Sequence, residues 1–263
     1  MQRPPHVRPS LGFAITVFAL GALCTGCAAR VAAVPGTAEH PTVTSIDLGI
    51  ANAHLIYGER PILVDTGPAD AQDKLNRALG ELGIQRGALS LVVLTHGHAD
   101  HAGNGAFLRE AFRAPIALGL GDTRITADGR NPPLRATSIF ARIIRPFVDD
   151  PFPPYRPDLE VETSIDLRPY GAVGQIIAMP GHTAGSAVVV LGSGDAFVGD
   201  LFAGGYLGGA LFPGSPGTHY FHDEQAAAEA RVCEVIRMGA KRLYLGHGGP
   251  VTADAARARF CAP

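Results

Sequence analysis

The 263-residue sequence has no tryptophan and only two lysines, Lys74 and Lys241. Charged residues make up 17% of the chain, and its formal net charge is −2. No segment carries a dense basic run, so the electrostatic footprint of a nucleic-acid binder is missing. The longest apolar run is too short to span a bilayer. Cysteine is scarce, four in all, and neither Cys233 nor Cys261 stands in a C-x-x-C spacing, which disfavours dithiol redox catalysis. What the chain has in quantity is hydrophobic residues, 46%, with 33 glycines and 21 prolines. That mix can bury a sizeable core and is rich in turns, which excludes a disordered chain or a coiled coil. The length allows one large domain or two small ones.

The N-terminus reads as an export signal. Arg3, His6 and Arg8 precede an apolar stretch at 11–23 of signal-peptide length. Leu23-Cys24-Thr25-Gly26-Cys27, followed by Ala28-Ala29, is similar to a bacterial lipobox, although Cys24 stands where leucine is usual. On that reading residues 1–27 are a lipoprotein signal peptide, and a lipid on Cys27 anchors the mature chain to a membrane facing the periplasm. The alternative is ordinary cleavage after Val31-Ala32-Ala33. Residues 28–42, with Pro35, Gly36 and Pro41, read as a flexible tether, leaving 43–263 as the folded domain. In an oxidising compartment Cys233 and Cys261 either pair as a disulfide joining the last two helices or stand as small buried residues.

The body of the chain repeats one theme, a buried strand that ends in a polar loop. Pro61-Ile62-Leu63-Val64 runs into Asp65-Thr66-Gly67. A helix is predicted over 71–82, with Leu75, Leu79 and Leu82 on one face and Gly83 as its stop. The apolar run at 89–94 predicts a strand covered on both faces, and it ends at Thr95-His96-Gly97-His98-Ala99-Asp100-His101. Helical signals resume near Phe107. Further on, 175–179 leads into Pro180-Gly181-His182-Thr183, and 186–191 and 196–199 predict a hairpin about Ser193-Gly194 that ends at Asp200. After a helix over 224–238, the strand at 242–245 leads into Gly246-His247-Gly248. Strands mixed with helices predict α/β layers around one core.

His96, His98, Asp100, His101, His182, Asp200 and His247 all fall just past the carboxyl ends of these strands, the edge where binding sites collect in open sheets. Imidazole and carboxylate suit zinc, at roughly 2.0–2.2 Å from the metal. Four ligands from one loop are more than one tetrahedral ion takes from a single segment. Two adjacent metals are therefore expected, with His182 and His247 as further ligands and Asp200 between them at the ~3.5–4 Å spacing of two-metal hydrolases. Asp65 reads as a turn residue or as a partner that orients a ligand. His54, His219 and His222 lack such a context and are left out of the ligand set, although His219, Tyr220 or His222 could reach the pocket.

These motifs, in this order from about residue 43 to the C-terminus, resemble the metallo-β-lactamase superfamily. The resemblance implies a four-layer αββα sandwich with two Zn2+ ions at one edge of its sheets. His96, His98 and His182 would hold one zinc and Asp100, His101 and His247 the other, with Asp200 bridging and Asp65 orienting the ligand loop. It also implies that a hydroxide held between the metals attacks a carbonyl, with Asp100 orienting it and taking its proton. Zinc β-lactamases of the superfamily carry Cys or Ser where this chain has Asp200. That departure points to the branch resembling glyoxalase II, lactonases and related esterases, although the basic C-terminal extension of glyoxalase II does not follow His247. The expected substrate is a small ester, thioester or lactone; cyclic amides and a catalytically idle ligand-binding fold are the alternatives. The long segment at 123–157, carrying Phe140, Ile143, Ile144, Phe147, Phe152 and Tyr155, reads either as a cap over an apolar pocket or as a loop covering the core.

Overall fold

The computed structural model describes residues 32–148 and 151–261. The signal peptide and Cys27 lie outside the described residues. Two six-stranded sheets carry the domain. The first runs β1 (Thr42–Asp47), β2 (Asn52–Tyr57), β3 (Pro61–Val64), β4 (Leu91–Val93), β5 (Ile116–Gly119) and β6 (Leu159–Val161), in that spatial order. Its first three strands pair antiparallel and its last four parallel. The second sheet begins with β7 (Ser164–Asp166), β8 (Gly174–Ala178), β9 (Ala187–Leu191) and β10 (Asp195–Gly199). The chain then leaves it for a separate hairpin, β11 (Ala203–Tyr206) and β12 (Leu211–Gly217). It returns as β13 (Arg242–Leu245), parallel to β10, and β14 (Val251–Thr252).

Alternation within the strands builds the layers. Ile62 and Val64 of β3 and Leu91 and Val93 of β4 point between the sheets, where they meet Ile176, Val189 and Phe197. Leu63 and Val92 point the other way, onto the helical layer of α1 (Gln72–Glu81), where Leu75 and Leu79 are fully buried. Burial on both faces is why these strands read as unbroken apolar runs rather than alternating ones. The short α2 (Ala99–Ala102) and then α3 (Gly105–Phe112) follow β4, and Leu108 and Phe112 join the same layer. On the far side of the second sheet, α6 (Gln225–Arg237) and α7 (Ala253–Phe260) pack Val232, Val235 and Ala256 against Val198 and Leu243. The result is the four-layer αββα sandwich. Cys233 of α6 and Cys261 at the end of α7 form a disulfide.

Two expectations change. Residues 33–41 are not a free tether: Ala33 and Gly36 donate backbone hydrogen bonds to Leu82 and Tyr57, and Ala38 accepts one from Val173. Composition rich in Pro and Gly reports irregular backbone here, not loose backbone. The segment 123–157 divides between the two readings offered for it. Phe152 and Tyr155 belong to the core, while α4 (Thr123–Asp128) and α5 (Ile139–Ile144) stand outside it and Phe140 and Ile144 line a cavity.

Candidate metal centre

Four strand ends deliver the seven residues to one edge. The loop after β4 carries His96 and His98, and the first turn of α2 carries Asp100 and His101. His182 follows β8, Asp200 directly follows β10, and His247 follows β13. Backbone hydrogen bonds lock these loops together, from Ala187 to Thr95 at 2.7 Å, Gly246 to Gly199 at 3.0 Å and Asn52 to Gly246 at 2.7 Å. Only glycine fits at 246, since a methyl group there would collide with Asp200 Oδ1 and His101 Cε1.

The side chains fall into two sets. His182 Nε2 lies 3.2 Å from His96 Nε2 and 3.1 Å from His98 Nδ1. On the other side, His247 Nε2 lies 3.3 Å from Asp100 Oδ2, and His101 Nε2 lies 3.8 Å from the same oxygen. Asp200 Oδ2 stands between the sets. It is 3.9 and 3.7 Å from the Nε2 atoms of His96 and His182, and 3.4 and 3.3 Å from those of His101 and His247. All seven are buried except Asp100, which is 25% exposed.

Neighbouring groups fix which nitrogen of each ring faces inward. His101 Nδ1 must donate to Asp65 Oδ2, 2.9 Å away, because a carboxylate only accepts. His182 Nδ1 donates to the Phe221 carbonyl and His247 Nδ1 to that of Ile50. The Thr95 hydroxyl gives its proton to Asp65, so it accepts from His96 Nδ1 at 3.1 Å. Each of these four rings is left with Nε2 aimed at the cluster. Asp65 thus serves as an orienting partner, held with φ 59° at the turn after β3, a left-handed conformation that Asp tolerates.

That arrangement fits divalent ions. The lone pairs of His96 and His182 face each other at 3.2 Å with no proton between them, which is repulsive unless a cation sits there. His101 Nε2 and Asp200 Oδ1 are buried without any hydrogen-bond partner. Four groups of three donors, each within 4.8 Å of one another, could hold a metal: His96–His98–His182, His96–Asp100–His101, His101–Asp200–His247 and His182–Asp200–His219.

The electrostatics separate the two sets. Burial holds His96 and His182 well below the usual histidine range and lowers His98 to about 4. Burial also opposes charge on His101 and His247, but Asp200 and the other nearby carboxylates outweigh it. They lift His101 well above the usual range and His247 to about 10. Asp100 and Asp200 are held well below the carboxylate range, because these imidazoles outweigh the burial that would raise them.

Two further residues at the site stand outside the seven expected ligands. His219 is buried, with Nε2 3.2 Å from Asp200 Oδ2 and Nδ1 3.0 Å from the Phe221 carbonyl that also holds His182. The sequence left it out of the ligand set while allowing it to reach the pocket, and it stands there, on the β12–α6 connection beside Asp200. Asp122, buried after β5, accepts hydrogen bonds from Gly97, Thr183 and Gly185 and so ties the His96–His98 loop to the His182 loop. It shares the strand-then-Asp signal of Asp65 and Asp200, which could have found it. His54 and His222 stay outside the ligand groups. His54 bonds the Leu245 carbonyl beneath the His247 loop, and His222 lies behind His182.

The sequence model of the Metallo-beta-lactamase superfamily matches residues 46–247. The chain belongs to this superfamily. It is 28% identical over 140 residues to a probable metallo-hydrolase of Methanocaldococcus jannaschii, covering 53% of this chain and 62% of that one. It is 32% identical over 167 residues to a hydroxyacylglutathione hydrolase of Albidiferax ferrireducens, covering 62% and 51%. The chain thus spans less than two thirds of these relatives' own lengths. A protein solved in a di-iron-bound form superposes with a TM-score of 0.56 at 26% identity, over 84% of this chain and 98% of that one. Membership of this superfamily, with a His/Asp site fit for metal ions, is the coarse description that follows.

Proposed function

We propose that the protein is an exported two-zinc hydrolase that attacks the carbonyl of a small ester, thioester or lactone. The observation that carries this reading is Asp200 Oδ2, a single carboxylate oxygen facing both imidazole sets at the floor of an open cavity. When bound, two zinc ions would polarise the carbonyl and bring the pKa of a water to about 7. The chain's own groups do the rest. Asp100 combines a fixed position beside His247 with exposure to the cavity, so it orients the attacking water and accepts its proton. Asp65 and the carbonyls of Phe221 and Ile50 keep the ring nitrogens aimed. Similarity to hydroxyacylglutathione hydrolases supports an acyl substrate.

The partner is a small molecule rather than a nucleic acid, and the membrane is reached through a lipid on Cys27. The Cys233–Cys261 disulfide supports an oxidising compartment. The test is a panel of esters, thioesters, lactones and β-lactams assayed with and without chelator, beside elemental analysis of the purified protein. Chelator-sensitive turnover with about two zinc ions per chain is expected. Chelator-insensitive turnover, or no more than one bound metal at saturating zinc, overturns the reading. For location, Cys27→Ala should move the protein out of the membrane fraction, and unchanged fractionation would remove the lipid anchor.

A further inference from the structure

A cavity of about 610 Å³ opens beside His98, Asp100, Asp200, His219 and His247. Its floor is the polar cluster. The facing wall is apolar, built from Leu134, Phe140, Ile144 and Val148 of the 123–157 segment, with Phe221 beside them and Leu207 from the β11–β12 turn. Among the described residues, no Lys or Arg lines it, and the charged groups outside the metal cluster come down to Asp47. A carboxylate or phosphate on the part of the substrate remote from the metal cluster would meet no counter-ion and would lose its hydration against apolar walls, which is costly.

The rim continues the pattern outward. Ile50, Phe140 and Leu207 line the cavity yet remain 52%, 45% and 59% exposed. Ile139 and Ile143 on the helix of Phe140, and Tyr206, Leu211 and Phe212 on the hairpin of Leu207, are exposed as well. Large apolar side chains gathered at a cavity mouth mark a surface that something covers. The hairpin is held in place deliberately. Leu207 and Phe212 sit at φ 52° and 54°, in the left-handed region that ordinary residues rarely adopt, and Leu207 N donates to the Tyr220 hydroxyl.

We infer that the site takes a carbonyl substrate whose remote part is an uncharged, extended apolar chain, seated between the 123–157 segment and the β11–β12 hairpin. It disfavours acyl groups carried on anionic thiols such as glutathione. This rests on the hydrolase reading above and narrows it to one substrate class. The chain lies along Phe140, Ile144 and Leu207 while the carbonyl reaches Asp100 and Asp200.

The experiment compares matched thioesters on the zinc-loaded protein: acyl groups from acetyl to decanoyl, each carried on uncharged N-acetylcysteamine and on glutathione. The expected result is a kcat/KM that rises about two- to fourfold per buried methylene and is higher on the uncharged carrier at every length. Phe140→Ser and Leu207→Ser should flatten that rise. Equal or better turnover of the glutathione series, or no dependence on chain length, overturns the inference while leaving the hydrolase reading intact. Absence of turnover here and across the ester and lactone panel overturns the hydrolase reading instead. In that case calorimetric titration with alkyl hydroxamates of the same lengths still decides the inference. Affinity that climbs with the alkyl chain and falls when the chain ends in a carboxylate supports it. Flat affinity, or no loss on adding the carboxylate, refutes it.

Discussion

The two donor sets on either side of Asp200 use the same side-chain chemistry but are prepared differently. His96, His98 and His182 are imidazoles that burial keeps neutral. Asp100, His101 and His247 mix carboxylate and imidazole, and the carboxylates keep His101 and His247 protonated until a cation displaces the proton. The first set offers lone pairs at neutral pH without further change. The second exchanges protons for metal, so its affinity is linked to pH. Their supports differ in one contact. Backbone carbonyls aim His182 in the first set and His247 in the second, while the buried Asp65 carboxylate holds His101 directly and His96 only through the Thr95 hydroxyl.

The strongest way to break this division is to remove the group both sides share. Asp200→Asn keeps size but loses the charge and one good donor oxygen. Hydrolysis should fall about a hundredfold, the upper end for groups that support a metal centre, and bound zinc should drop below two per chain. Full zinc content with full activity would make Asp200 an ordinary turn residue. Next comes Asp65→Asn, which tolerates the same left-handed backbone but presents an amide to His101. It should weaken metal binding at the second set by about tenfold and at the first set by less, because Asp65 reaches His96 only through the Thr95 hydroxyl, as read by chelator competition. Equal loss at both ions would show that the sets are not separately supported.

A zinc titration by calorimetry, repeated in buffers of different ionisation enthalpy, sharpens the comparison through protons. Because His101 and His247 are raised, uptake at the second set should release protons at neutral pH and weaken as the pH falls. The first set, with His98 lowered to about 4, should take its ion without release until well into acid. Proton release with the first, tighter ion would reverse the assignment. The smallest effect is expected from His219→Ala. It removes one imidazole 3.2 Å from Asp200 Oδ2, and a few-fold loss of zinc affinity without loss of the second ion is the expected outcome.

Much of this was legible in the residues themselves. His96, His98, Asp100 and His101 are adjacent in sequence, and His182, Asp200 and His247 each follow a short apolar run, so a strand-end rule found all seven. The same rule passed over Asp122, although it obeys it. The core strands were legible because burial on both faces leaves no polar residue to interrupt them. The hairpin β11–β12 was not, since Gly204, Gly205, Gly208 and Gly209 with Pro213 and Pro216 read as loop. Its pairing is imposed by contacts with neighbouring segments, such as Gly204 to His247 and Gly249 to Pro213.

By itself, then, the sequence indicated the buried strands, their polar ends and the seven candidate donors, because alternation and burial are local consequences of residue type, while the layer order came with the resemblance to the superfamily. Only the tertiary structure decided that His182 and His219 share the Phe221 carbonyl, that Asp200 faces both sets, and that residues 33–41 are docked. It alone also divided the 123–157 segment between core and cavity wall. Each of these depends on which groups of distant segments meet, and lone-pair direction, unlike hydrophobicity, has no period along the chain.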